Sequence, residues 1–285
     1  MVENTNPLSK YYRQPAVYIT LPSRGKYYSA DVYEKTVSGE IPVLPMTAKD
    51  ELTFKTPDAM LSGQATVDVI QSCVPNIKNA WKLTNYDLDT VLLAIRIASY
   101  GETMDIETTV PVINERMTYS VNLPSLLESI KNIQIKDEAT TSQGFAIKIK
   151  PLLYSDLTKS QIAAFEQQKM FAAANMSGID EQEKNKRFAE SFRRLTELNF
   201  EMLLDGILEI KTPEGAVVAD KKQIQEFVEN AGGKVINEIQ DKLSELRTQA
   251  QIKPIMVKST EEQIKRGVPV TYEVPVTFDN SNFFV

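Results

Sequence analysis

The chain has 285 residues, 42% hydrophobic and 25% charged, with a net charge of −6, no histidine and one cysteine. Those totals exclude the commonest general base, the commonest zinc ligand and any cysteine-pair metal site, and an acidic surface without a long basic run argues against binding a phosphate backbone. The length fits one or two cores, and two are expected.

The first twenty residues lack the basic-then-apolar pattern of an export signal, and no apolar run reaches the roughly 18 residues of a membrane span. A soluble protein made in a cytoplasm is expected, with no membrane contact. Residues 1–16 are polar at their start and read as a flexible N-terminal arm. Residues 17–21 read as a strand, Pro22-Ser23-Arg24-Gly25 as a turn whose glycine takes positive φ, and residues 41–44 as a second strand. Thr47 followed by Asp50 resembles a capping box opening a short helix through Phe54. A further helix is predicted over residues 64–73, where Cys73 reads as a buried small hydrophobe with no histidine to activate it.

The strongest helical signal covers residues 87–100, where Leu88, Val91, Leu92, Ile95 and Ala98 recur at helical spacing and Gly101 stands at the C-cap position. Leu93 and Ile97 make its other face apolar, so a core helix is predicted. Arg96 is its odd residue. The plain reading packs its stem and pairs its fork with Glu102 or Asp89; the alternative gives it to a partner. A hairpin is predicted from residues 103–112 and 117–121, a helix over 123–133 and a half-buried strand over 144–150. Residues 17–152 thus read as one α+β domain.

Residues 153–206 read as a helical hairpin, with helices near 158–175 and 180–205 broken at Ser177-Gly178. Phe188, Phe192, Leu195, Leu198 and Met202 form one stripe of the second helix, suited either to a core or to a protein-binding face. The remainder, 207–285, reads as a smaller C-terminal α/β portion. It comprises a strand-turn-strand around Pro213-Glu214-Gly215, helices near 222–230 and 234–248, strands near 252–258 and 268–278, and an apolar tail ending Phe283-Phe284-Val285. That tail suits either the core or a neighbouring subunit.

Each chemical motif fails on its own terms. Gly232-Gly233-Lys234 lacks the Ser or Thr of a phosphate loop, because Val235 follows. Asp87 and Asp89 are two apart at a helix start, where acids serve the helix dipole. No catalytic, cofactor-binding or metal-ligating set emerges, and no cofactor is expected.

Three short motifs carry a resemblance: Leu21-Pro22-Ser23 with Gly25, then Pro45-Met46-Thr47 with Asp50-Glu51, then Asp87 through Arg96, Ser99 and Gly101. In this order they resemble the baseplate hub and hub-assembly family of T4-like contractile-tailed bacteriophages, over about residues 15–125. Some members of that family place a Cys-rich metal hairpin after the helix; this chain has Thr108 and Thr109 there, so no zinc site is implied.

The resemblance implies a non-enzymatic structural component of the tail baseplate hub, acting through protein-protein contacts. Its partners would be other tail proteins, hub and tape measure among them, with room for a homo-oligomer and no nucleic acid. Two other readings stand beside it: an assembly chaperone that shields a tape-measure or hub protein and then leaves, and an enzyme using carboxylates alone. Assembly would take place in the host cytoplasm, and a structural component would end in the virion baseplate. The candidate contact residues are Tyr18, Arg24, Tyr27 and Tyr28 around the turn, Arg96 in the helix, Phe188, Phe192 and Met202 in the hairpin, and Phe283 and Phe284 in the tail.

Overall fold

Strand β1 (Val17–Ile19) pairs antiparallel with β2 (Ile41–Val43), placing Val17 opposite Val43 and Ile19 opposite Ile41. This computed structural model describes residues 6–55, 62–131, 133–175, 181–249 and 252–276. Ahead of β1, Arg13 ties the chain start down: its guanidinium donates to the carbonyls of Pro45 and Ser72, each at 2.8 Å, and to Asp50 at 3.2 Å.

Helix α1 (Ala48–Phe54) opens with the expected capping box. The Thr47 hydroxyl accepts from the Asp50 amide, and the Asp50 carboxylate accepts from the Thr47 amide at 2.8 Å. Helix α2 (Gln64–Cys73) has the predicted bounds and ends in a fully buried Cys73. Burial pushes that thiol up to about 12, so it serves as packing.

Helix α3 (Asn85–Tyr100) begins two residues before the sequence pattern suggests and ends at Gly101, whose φ of 96° and ψ of −176° suit glycine. It is the core helix expected: Val91, Leu93, Ala94 and Ile95 have no exposed surface. The β3 (Thr103–Thr109) and β4 (Arg116–Asn122) hairpin follows, then α4 (Leu123–Lys131).

The longest sheet has the order β5-β6-β7-β8, antiparallel throughout, built from Glu138–Thr140, Ala146–Ile149, Ile207–Lys211 and Val217–Val218. Between its second and third strands run α5 (Tyr154–Asn175) and α6 (Glu181–Gly206). The expected break at Ser177-Gly178 lies outside the described residues. Helices α7 (Lys221–Asn230) and α8 (Gly233–Gln249) cover the sheet. The pair β9 (Ile255–Lys258) and β10 (Thr271–Val274) closes the described chain, with the five-residue α9 (Glu261–Lys265) between them. Together these make a mixed α+β fold.

Among the described residues, three apolar clusters hold it. The first gathers β1, β2, α2, α3, Leu123 and Ile130, and receives Val276, Ile252 and Ile255 from the C-terminal stretch. The second joins Ile147, Ile149, Ile207 and Ile210 of the sheet to Leu203, Ile224, Ile239 and Leu246, with Tyr86 of α3 inserted among them. The third packs Val110 and Ile113 against Val268, Tyr272 and Val274.

Candidate partner-binding surfaces

The turn at residues 22–28 is built by reaching inward. Gly25 has φ +69°, and a Cβ there would lie 2.8 Å from the Tyr33 ring, so only glycine fits. The turn lays Ser23 and Tyr28 against Asp87, the third residue of α3, which has no exposed surface. Its carboxylate accepts from the Ser23 amide at 3.0 Å, from the Ser23 hydroxyl and from the Tyr28 hydroxyl at 2.5 Å. The Tyr28 oxygen in turn accepts from the Thr84 amide at 2.8 Å. Burial raises the Asp87 pKa while hydrogen bonds from Ser23, Tyr28 and Thr84 oppose the shift.

The next two residues reach a different acid. Lys26 Nζ lies 2.5 Å from Asp137 Oδ2, and the Tyr27 hydroxyl donates to the same oxygen at 2.9 Å. Tyr27 and Tyr28 therefore spend their hydroxyls inside the fold, holding the turn to α3 and to the start of the four-stranded sheet. Tyr18 is 60% exposed on β1, and Arg24 is exposed with φ 51° at the tip of the turn. Asp137 escapes a sequence reading because its partners lie 110 and 111 residues away. Asp87 was visible as a helix-start acid, but its bonds to Ser23 and Tyr28 were not.

Arg96 stands apart from this network. It is 7% exposed, and its guanidinium lies 4.7 Å from the centre of the Tyr100 ring. It forms no ion pair with Glu102 or Asp89, contrary to the plain reading of the sequence. Among the described residues its Nε and Nη1 meet no hydrogen-bond acceptor.

The hairpin of α5 and α6 is rooted at one end and exposed around Phe165 and Phe192. Its root is buried: Leu203 is 4% exposed in the second cluster, with Phe200 and Leu204 packed alongside. Further out the two helices enclose a groove of about 620 Å³ lined by Ala163, Glu166, Arg187, Glu190, Arg194 and Leu195. Phe192 is 55% exposed and Phe165 is 41% exposed, whereas Phe188, Leu195, Leu198 and Met202 are half-buried. An ion pair from Arg194 to Glu166 at 2.9 Å crosses between the helices here. Phe283 and Phe284 lie outside the described residues.

Among the described residues no three His, Cys, Asp or Glu side chains are grouped to hold a metal ion, and no helix is long and apolar enough to cross a membrane. The family described as T4 bacteriophage base plate protein matches residues 17–266. The chain belongs to that family. No curated protein and no solved structure shows significant similarity to it. Membership in the base plate family gives the chain a structural role in a phage base plate, in contact with other tail proteins. The family match extends well beyond the segment near 15–125 that carries the sequence resemblance, taking in the hairpin, the four-stranded sheet and α9.

Proposed function

We propose that this chain is a non-enzymatic structural component of the baseplate hub of a contractile phage tail, held in place by protein-protein contacts. The family match over residues 17–266 carries the reading. The fold supports it: Ser23, Lys26, Tyr27 and Tyr28 of the turn are bonded inward, which stiffens a scaffold, while Tyr18, Arg24, Phe165 and Phe192 are left for neighbours. Partners are hub and tape-measure proteins, met in the host cytoplasm and retained in the virion. Mass spectrometry of purified particles, quantified against tube and sheath proteins, tests this. A hub component is present at low, fixed copy number, and its absence from particles removes the reading.

The exposed Phe165 and Phe192 favour a second reading, an assembly chaperone whose hairpin covers an apolar segment of a tape-measure or hub protein and then leaves. That reading requires abundance in infected cells, a soluble complex with such a partner before assembly, and absence from mature particles.

A further inference from the structure

The hairpin sorts its exposed residues by charge. At about 3.6 residues per turn, Asn185, Ala189, Phe192, Thr196 and Asn199 fall within about 80° of arc on α6, and all are exposed. Every charged residue of α6 from 185 to 201 lies outside that arc. On α5, Gln161, Ala164, Phe165 and Gln168 make a similar exposed, uncharged strip, with Lys159, Glu166 and Lys169 off it. The Arg194 to Glu166 ion pair marks the charged broad face of the hairpin. Stepping about 100° per residue from there puts both uncharged strips on the opposite broad face. Solvation alone imposes no such sorting, whereas the core of an interface is depleted of charge and enriched in aromatic residues.

The layout of α6 selects a second copy of this chain as the occupant. Phe192 stands midway between Glu181, where α6 starts, and Leu203, where the body buries the same strip. An antiparallel α6 from a second copy, centred there, lays the free length of each helix along the other. In that register Phe192 faces its own counterpart, Asn185 faces Asn199, and the small Ala189 and Thr196 flank the ring. On the rim away from α5, Lys186 comes beside Glu197 of the other copy and Arg193 beside Glu190, opposite in sign at both places. The contact of Arg193 with Glu197 in its own chain, at 3.6 Å, is an exposed pair that exchanges at little cost.

We propose that the uncharged face of the hairpin pairs with the same face of a second copy, α6 antiparallel to α6 about Phe192, in an isologous four-helix contact. From Asn185 to Asn199 the strip is about 21 Å long, at the small end for a specific interface, so the pairing is reversible, with a Kd of about 10–100 μM. It does not draw on the base plate reading, and it is tested on the purified full-length chain.

Sedimentation velocity should show monomer at about 1 μM and mainly dimer at about 300 μM. Phe192→Glu weakens association at least about 10-fold and leaves the melting temperature at about 1 μM within about 2 °C of wild type, because the ring is exposed in the protomer. Glu190→Lys and Arg193→Glu each weaken the dimer roughly 5-fold, and the two together restore it. A short bismaleimide joins Phe192→Cys chains to each other but not Arg194→Cys chains, whose thiol lies on the charged face. Cys73 is fully buried and takes no part.

A monomer at about 300 μM gives the face to a different protein and overturns the proposal. So does a dimer that Phe192→Glu leaves intact, or equal cross-linking of the Arg194→Cys chains. A double exchange no better than the single ones overturns the antiparallel register. A melting temperature lowered by about 5 °C or more in Phe192→Glu at about 1 μM puts the ring inside the protomer and also removes the proposal.

Discussion

Asp87 shows how one carboxylate sets the position of a segment far from it in sequence. Its bonds span 64 residues to Ser23 and 59 to Tyr28, and Asp87 itself has no exposed surface. Asp87→Ala leaves the Ser23 amide and the Tyr28 hydroxyl without their acceptor, so urea unfolding should record a loss of about 2–4 kcal/mol. Asp89, two positions on, behaves differently. Among the described residues it has no ion-pair partner, and burial pushes its pKa up to about 7 from an ordinary 3.8. For an acid raised in the folded state, the folded form binds the extra proton. Its contribution is complete below the ordinary value and is lost as pH rises to about 7. The melting temperature of the wild type should therefore fall, relative to Asp89→Asn, between pH 4 and pH 7. Parallel curves for the two proteins would show that Asp89 ionises normally. At this scale the sequence displayed the acids but not what they face, since a contact across 64 residues leaves no trace in local spacing.

Elements with a chemical start or stop were the most legible. Thr47 and Asp50 announced α1, and Gly101 announced the end of α3. Thr260 and Gln263 carry the same capping signal and open α9, yet a helix of five residues has no apolar periodicity to draw attention to it. Strand β5 escaped for a similar reason: its three residues are mostly exposed, and it exists as a partner for β6. A Cβ on Gly101 would meet nothing within 4 Å, so Gly101→Ala isolates backbone strain at φ 96°. Its expected cost is about 1–3 kcal/mol by thermal or urea denaturation. The hairpin makes an internal contrast within one helix. Leu203→Ala, at the buried root, should cost about 2–5 kcal/mol. Phe192→Ala, on the open part, should stay within about 0.5 kcal/mol. Equal losses at both sites would mean that Phe192 is covered in solution.

Across the molecule, the C-terminal stretch returns to the first third of the chain. Val276, Ile252 and Ile255 join the cluster of α3, and Tyr272 meets Tyr119 of β4 hydroxyl to hydroxyl. Sequence reading placed the class of fold and most helices, but not this return, because hydrophobic alternation in β10 says that a face is buried without saying by what. Stability should be uneven as a result. In hydrogen exchange, amides of α3 are expected to outlast those around Phe165 of α5 and Phe192 of α6, where both side chains face solvent. Uniform protection would indicate that the hairpin is packed along its length.

The root of that hairpin has a mechanical meaning. Thr84 bridges to Leu153, the Asn85 amide donates to Leu152, and the Tyr154 amide donates to the Leu83 carbonyl at 2.8 Å. Trp81 stacks on Tyr154 at 5.4 Å beside this seam. The first turn of α5 is thereby riveted to the first turn of the most buried helix, and Tyr86 carries the same joint into the second cluster. A sideways pull at the tip of α5 is delivered to this seam as torque, with a helix of 22 residues as the arm.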